Sequence, residues 1–274
     1  MILTLAVGVL LAVVPDVEDR SVETKIFQGA RLIIVDNVNG SIDVTGEPGN
    51  EVRLEVTKRI QAESPERMQA AKNEVKLDEQ QTGDTLKLYV DGPFRCNCND
   101  RSSHRHGHDG YTVYYDFKLR VPANAKVDLY TVNHGNIVVR NVSGDFDVSN
   151  VNGQIEMADL AGSGRAHTVN GPVKVVFARN PSGATSFETI NGNVEATFRK
   201  GLGAQARMET MNGGMYTDFE VQAMPAEPVS GSRENGKFVF RRGGATAVRI
   251  GSGGPDLRMK TLNGDIFIRD REKQ

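Results

Sequence analysis

The chain has 274 residues, and its 33 lysine and arginine residues nearly balance its 35 aspartate and glutamate residues, which leaves a net charge of −2. This balance argues against a nucleic-acid-binding protein, because such proteins carry a strongly basic patch. The two cysteines are too few for a disulfide framework, and the chain is long enough to bury a core without cross-links.

Residues 1–14 are apolar except for Thr4. The segment is shorter than the roughly 20 residues that span a bilayer, and it suits the apolar region of a secretory signal. It lacks a preceding basic residue and a following Ala-x-Ala cleavage site, so a buried first strand is the alternative. We predict that residues 1–20 are a signal peptide or N-terminal apolar segment, and that the protein is exported to the periplasm, the cell envelope or the extracellular space.

Residues 31–57 alternate between apolar and polar positions, which is typical of strands. The predicted inward positions are Leu32, Ile34, Ile42, Val44, Val52, Leu54 and Val56. One short helix is predicted near residues 64–75, where Ser64 is a suitable N-cap and Pro65 suits the first helical position. In this helix Met68, Ala71 and Val75 are expected to face the sheet.

Residues 91–110 form a loop rich in cysteine and histidine. It holds Cys96, Cys98, His104, His106 and His108, whose thiolate and imidazole groups are suitable ligands for Zn or Cu. The spacing differs from the common Cys-x2-Cys zinc pattern, so a solvated polar loop without a cofactor is an open alternative. A disulfide between Cys96 and Cys98 is a third reading, in an oxidising compartment.

The stretch from Thr131 to Gly213 contains a repeated phrase of Thr or Ser, an apolar residue, Asn and Gly. Counted from Gly135 to Gly213, the phrase returns after 18, 18, 21 and 21 residues, and TLNGDIFI near Gly264 is a last copy. A fixed period near 20 indicates a stacked repeat. After each corner the apolar residues alternate, as in Ile137 and Val139, so each copy contains short strands.

Two architectures accommodate Asn-Gly between strands. In a hairpin meander each Asn-Gly is a type I′ turn, whereas in a solenoid each copy is one coil and equivalent strands stack in parallel. The retained residue identities of the phrase, including the Thr two residues before Asn, favour the solenoid. The solenoid places Asn152, Asn170, Asn191 and Asn212 one above another in an amide ladder, with a structural and not a catalytic role.

Residues 220–254 interrupt the period, because the 51 residues between Gly213 and Gly264 exceed the length of two coils. Asn235 and Gly236 beside KFVF predict a hairpin in this insertion. The insertion is locally basic, which suits contact with an anionic glycan or a lipid headgroup at a membrane surface, or a solvated face; its basic residues are Arg233, Lys237, Arg241 and Arg242.

The phrases from VPANAKVDLYTVNHGNIVV onward resemble a bacterial family of exported β-strand-repeat proteins, called putative adhesins or domains of unknown function. The resemblance covers roughly residues 30–270. It implies an all-β fold, a single-stranded right-handed parallel β-helix (β-solenoid) with about 18–21 residues per coil, as one domain over 30–270. It carries over no catalytic residues.

The sequence contains no GxSxG, HExxH, P-loop or dinucleotide motif. Asp145, Glu156, Glu188 and Glu209 lie at different phases of the repeat and do not define a catalytic pair. We therefore predict a non-enzymatic, adhesin-like surface scaffold of the cell envelope or a secreted one, with an envelope glycan or protein as partner and no nucleic acid. The alternatives are a metal-binding module using the loop from Cys96 to His108, and a glycan-active β-helix enzyme. The oligomeric state and the identity of the partner are left open.

Overall fold

The computed structural model describes residues 17–95, 110–224, 230–234, 237–241 and 246–273. Within these ranges two large β-sheets enclose the core, and a two-stranded sheet and one α-helix accompany them. The strands are numbered along the chain. The first sheet contains, in spatial order, β1 (Val17–Gln28), β4 (Glu51–Ala62), β7 (Tyr111–Pro122), β3 (Ile42–Glu47), β9 (Ile137–Arg140), β11 (Ile155–Leu160), β13 (Val173–Phe177), β15 (Val194–Phe198), β23 (Ile266–Asp270) and β17 (Met215–Thr217).

The second sheet contains, again in spatial order, β18 (Val221–Ala223), β21 (Thr246–Ile250), β16 (Ala204–Glu209), β22 (Asp256–Lys260), β14 (Thr185–Glu188), β12 (Gly164–His167), β10 (Phe146–Ser149), β8 (Lys126–Tyr130), β2 (Leu32–Asp36), β6 (Thr85–Asp91) and β5 (Lys76–Thr82). The separate hairpin pairs β19 (Ser230–Glu234) with β20 (Lys237–Arg241), which confirms the hairpin predicted in the insertion. The helix α1 spans Pro65–Glu74, and a 3-10 turn spans Arg271–Lys273.

The prediction of a single-stranded parallel β-helix is wrong. Each repeat contributes one strand to each of two different sheets, and both sheets are mixed. Antiparallel pairs lie at both ends, between β1 and β4, between β5 and β6, and between β16 and β21. A second corner divides each repeat of about 20 residues into two strands, one for each sheet. The alternation of apolar and polar residues buries one face of a strand in a pair of sheets as well as in a solenoid coil. The sequence pattern therefore did not separate the two folds.

The last strand pair is inserted out of chain order. β22 lies between β14 and β16 in the second sheet, and β23 lies between β15 and β17 in the first. The copy of the phrase at Gly264 is the last in the sequence, but in space the repeat of β16 and β17 follows it. β17 ends the first sheet, and β21 and β18 lie beyond β16 in the second. The intervening segment returns through β21, which pairs antiparallel with β16.

Aromatic and aliphatic side chains fill the space between the sheets. Phe146 and Phe177 each pack on Phe187, with ring centroids 6.5 and 6.2 Å apart, and Phe177 stacks on Phe198 at 5.0 Å. All four phenylalanines are buried. Burial of one such side chain contributes roughly 1.5–3 kcal/mol, so this row is a main source of stability.

The helix prediction is confirmed. The Ser64 hydroxyl accepts a hydrogen bond from the Arg67 backbone N–H at 3.3 Å, Pro65 begins α1, and Met68 and Ala71 are buried. Val75, the C-cap, is also buried. No helix among the described residues is long and apolar enough to cross a membrane.

The predicted inward faces of β3 and β4 are confirmed, but the predicted face of β2 is wrong. Ile33 and Val35 are the buried residues of β2, whereas Leu32 and Ile34 are half-buried on the other side. The LIIV run is apolar at both parities, so alternation alone could not choose between the faces. The prediction for residues 1–20 concerns mainly residues 1–16, which lie outside the described residues, and β1 begins at Val17.

Candidate interaction surface

Each repeat phrase forms a corner that carries the chain from the second sheet to the first. The hydroxyl of its threonine turns inward and donates to the glycine carbonyl of the neighbouring corner. Thr168 donates to Gly153 at 2.9 Å, and Thr189 donates to Gly171 at 2.8 Å. Asn150 occupies the same place in its own phrase, where its amide donates to the Gly135 carbonyl at 3.0 Å. The inward threonine hydroxyls and the Asn150 amide of these corners thus gain partners, as a low-dielectric interior requires.

The asparagines of the phrase turn outward and form the predicted amide ladder. Each Nδ2 donates to the Oδ1 of the next asparagine: Asn152 to Asn133 at 2.7 Å, Asn170 to Asn152 at 2.7 Å, Asn191 to Asn170 at 2.8 Å, Asn263 to Asn191 at 2.7 Å and Asn212 to Asn263 at 2.7 Å. The ladder is confirmed, with Asn263 between Asn191 and Asn212 because the last strand pair is inserted there.

Substituting Asn191 by alanine tests the ladder. Asn191 donates one ladder bond and accepts another, so Asn191→Ala is expected to lower the free energy of unfolding by about 1–2 kcal/mol in a urea titration. Asn212 makes a single ladder bond at the end of the row, so Asn212→Ala should lose about half as much. Equal losses in the two variants would show that the ladder does not stabilise the fold cooperatively.

A row of aliphatic side chains accompanies the ladder. It consists of the residue before each asparagine: in spatial order Val132, Val151, Val169, Ile190, Leu262 and Met211. The valines are half-buried, whereas Ile190, Leu262 and Met211 expose 39%, 40% and 75% of their surface. We define the ladder surface as the six ladder asparagines together with Ile190, Leu262 and Met211. The exposed fraction of the aliphatic side chains in this surface increases toward the end formed by β17.

More exposed apolar groups lie at this same end. Of the ten exposed large hydrophobic side chains in the described chain, six belong to it: Ile190, Met211, Met215, Tyr216, Val221 and Leu262. Tyr216 stacks on Phe267 with ring centroids 5.1 Å apart, beside an open groove of about 500 Å³ along β17. Concentrated apolar exposure of this kind indicates an interaction site more than scattered single residues would.

The outer faces of both sheets carry ion pairs between neighbouring strands. Arg165 contacts Asp147 at 2.8 Å, and this hydrogen-bonded carboxylate raises the pKa of the Arg165 guanidinium. Two carboxylates considered for catalysis are similarly occupied, since Glu188 faces Arg258 at 3.4 Å and Glu209 faces Lys260 at 3.1 Å. Such exposed pairs contribute little stability, about 0–1 kcal/mol each, and keep a polar sheet face soluble.

The five predicted metal ligands, Cys96, Cys98, His104, His106 and His108, lie outside the described residues, so the zinc or copper site stays a prediction. Elsewhere, within the part of the chain that the structure describes, no group of three or more His, Cys, Asp or Glu side chains is arranged to hold a metal ion. His134 lies at a corner with φ of 58° and packs edge-on against Tyr114 at 5.5 Å, and His167 lies in β12.

No protein-family model and no curated protein matches the chain. A crystal structure of a putative cell adhesion protein from Clostridium sporogenes is similar to it at 10% identity with a TM-score of 0.43, covering 92% of this chain and 100% of the other. A crystal structure of a putative adhesin from Bacteroides fragilis is similar at 12% identity with a TM-score of 0.38, covering 91% and 97%. Solved structures similar to this chain thus carry the name of the family that its repeat phrases resemble.

Proposed function

We propose that this chain is a non-enzymatic, adhesin-like interaction protein, exported to the cell envelope or beyond, which binds an envelope glycan through the ladder surface. The observation that carries the proposal is the continuous row of outward asparagine amides beside exposed Ile190, Leu262 and Met211. An amide in the ladder keeps a second N–H and a second lone pair for a partner after both ladder bonds are made.

The regular spacing of the row favours a partner that repeats along its own length. Equivalent residues on neighbouring strands are separated by about 4.8 Å, so a linear polymer meets the same pair of groups, one amide and one aliphatic side chain, again and again. Glycans are envelope polymers with this property. The exposed Tyr216 ring, stacked on Phe267, adds a flat apolar face at the end of the row.

Glu188 and Glu209 each face a basic residue on a neighbouring strand, which gives these two carboxylates a place in the polar outer face of the sheet. The same row of amides would also suit an extended protein partner. Export is supported by the apolar segment 1–14, which belongs to the sequence and not to the described residues.

Co-sedimentation with purified peptidoglycan sacculi tests the proposal. The full-length protein is expected to sediment with the sacculi, and Met211→Asp combined with Leu262→Asp should weaken binding about tenfold or more, because charging a central interface anchor costs roughly 1–2 kcal/mol or more. Val22→Asp is the matched control: Val22 is 55% exposed but lies in β1, at the opposite end of the first sheet. The proposal fails if the protein does not sediment, or if the control variant loses as much binding as the ladder variant.

A further inference from the structure

A lysine occupies a core position of β4. The residues of β4 that face the second sheet are Val52, Leu54, Val56, Lys58, Ile60 and Ala62, and all of them except Lys58 are buried and apolar. Lys58 lies in register with Ser21 of β1 and Tyr115 of β7, on the inner side of the first sheet. An ammonium group at such a position loses hydration, which costs free energy unless another interaction compensates for the loss.

The interactions that Lys58 makes leave its charge without an anionic partner. Its Nζ donates to the Val75 carbonyl at 2.6 Å and lies 5.5 Å from the centre of the Tyr115 ring. It forms no ion pair with any described residue. Burial lowers the pKa of the Lys58 ammonium from its usual value, and the carboxylates of Glu23 and Asp19 only partly oppose this effect. Since an ammonium group has three donors, two are available to a ligand.

The ammonium borders a cleft of about 280 Å³ between the edge strands of the two sheets. Val56, Val75, Leu77 and the Tyr115 ring form its apolar wall. The charged residues at its rim are Lys25, Lys76, Glu23 and Glu79, of which Lys25 and Glu79 pair with each other at 2.8 Å. Three lysines against two glutamates leave the cleft with a net positive charge.

We propose that this cleft is a binding site for a small organic carboxylate with a medium-length apolar chain, whose carboxylate is bound by Lys58 and whose chain packs on Val56, Val75 and Leu77. The ammonium supplies charge-assisted hydrogen bonds, and the apolar wall supplies burial. The cleft is close to the lower end of the roughly 300–1,000 Å³ typical of small-molecule pockets, so a medium-length chain fits it better than a large ligand does.

A purely structural role for Lys58 makes a different prediction. The Val75 carbonyl lies at the C-terminal end of α1, where a cation interacts favourably with the helix dipole. If this were the only role of Lys58, its replacement would change the stability of the protein and no binding property would depend on it. Binding and stability therefore have to be measured on the same variants.

Titration of the full chain with octanoate, followed by methyl NMR and calorimetry, tests the site. Octanoate is expected to bind saturably and to shift the methyl signals of Val56, Val75 and Leu77. The affinity for uncharged octanamide should be lower by a factor of about ten or more. Lys58→Met, which keeps the length of the side chain but removes its charge, should weaken octanoate binding about tenfold or more. Lys118→Met, on the exposed outer face of β7, is the matched control and should bind like the wild type.

A second variant keeps the test decisive if Lys58→Met does not fold. Leu77→Trp enlarges a half-buried residue of the cleft wall while leaving Lys58 in place, so it should abolish octanoate binding by filling the cleft. The inference is overturned if octanoate causes no saturable methyl shifts at millimolar concentration, or if a folded Lys58→Met variant binds it as the wild type does. A change in stability without a change in binding would assign Lys58 to the helix end alone.

Discussion

Removal of residues 255–274 is expected to prevent the chain from folding. This deletion takes away β22 and β23, which lie inside both sheets, together with the buried side chains Leu257, Met259, Ile266 and Ile268. Burial of each contributes roughly 1.5–3 kcal/mol, so the four contribute on the order of 6–12 kcal/mol. A whole domain is stable by only about 5–15 kcal/mol. Circular dichroism and urea denaturation should therefore show no cooperative unfolding transition in the truncated protein.

Truncation after Asp270 is the control for this experiment. It removes only the four terminal residues, whose described contacts include the ion pair from Arg271 to Asp159 at 3.1 Å. An exposed pair of this kind is worth about 0–1 kcal/mol, so the unfolding midpoint should change little. If the longer deletion also unfolded cooperatively at the wild-type midpoint, the repeat of β16 and β17 would have closed directly onto β14 and β15. That result would contradict the importance of the inserted strand pair.

Gly264→Ala is expected to lower the free energy of unfolding by about 3–5 kcal/mol, at the upper end for single substitutions. A Cβ atom at residue 264 would lie 2.0 Å from the Gly192 carbonyl oxygen and 2.5 Å from its carbon. Both atoms belong to the backbone of the neighbouring corner, so the strands must separate to make room. The loss should appear as a lower urea midpoint, with the slope of the transition unchanged.

Gly29→Ala separates this close approach from the conformational preference of glycine. Gly29 has φ of 74°, but a Cβ atom there would have no heavy atom within 4 Å beyond its chain neighbours. Only the left-handed conformation is then strained, at a cost of about 1–2 kcal/mol. Similar losses in both variants would mean that backbone conformation, and not the contact between corners, explains the glycine in the repeat phrase.

The sequence predicts those features of the structure that depend on residues close together in the chain. Ser64 and Pro65 predict the start of α1 because capping depends on neighbours within one turn. The Asn-Gly phrase predicts the ladder because each copy of the phrase places its asparagine at the same corner, next to the asparagine of a neighbouring copy. The hairpin around residues 230–241 follows from its turn residues. In each case the sequence pattern that made the prediction lies within a few residues or within one repeat.

The candidate sites could be predicted only in part. The apolar residue before each asparagine was visible in the phrase, but its exposure at Ile190, Leu262 and Met211 follows from their places in the stack. The cleft was missed, although a lysine in the alternating apolar series of β4 was a readable signal. Which strands would border Lys58 was not readable, because Val75 and Tyr115 come from distant parts of the chain.

The sequence by itself determined where the strands and corners of the repeat and the helix lie, since hydrophobic alternation and turn residues act over short distances. Only the tertiary structure decided how those strands are partnered. Alternation buries one face of a strand whatever its neighbours are, so the pairing into two mixed sheets was open. The position of β22 and β23 was equally open, because Asn263 and Asn212 carry the same phrase and either could lie next to Asn191. In the structure Asn263 takes the place next to Asn191, and β21, from the segment between the two copies, pairs antiparallel with β16.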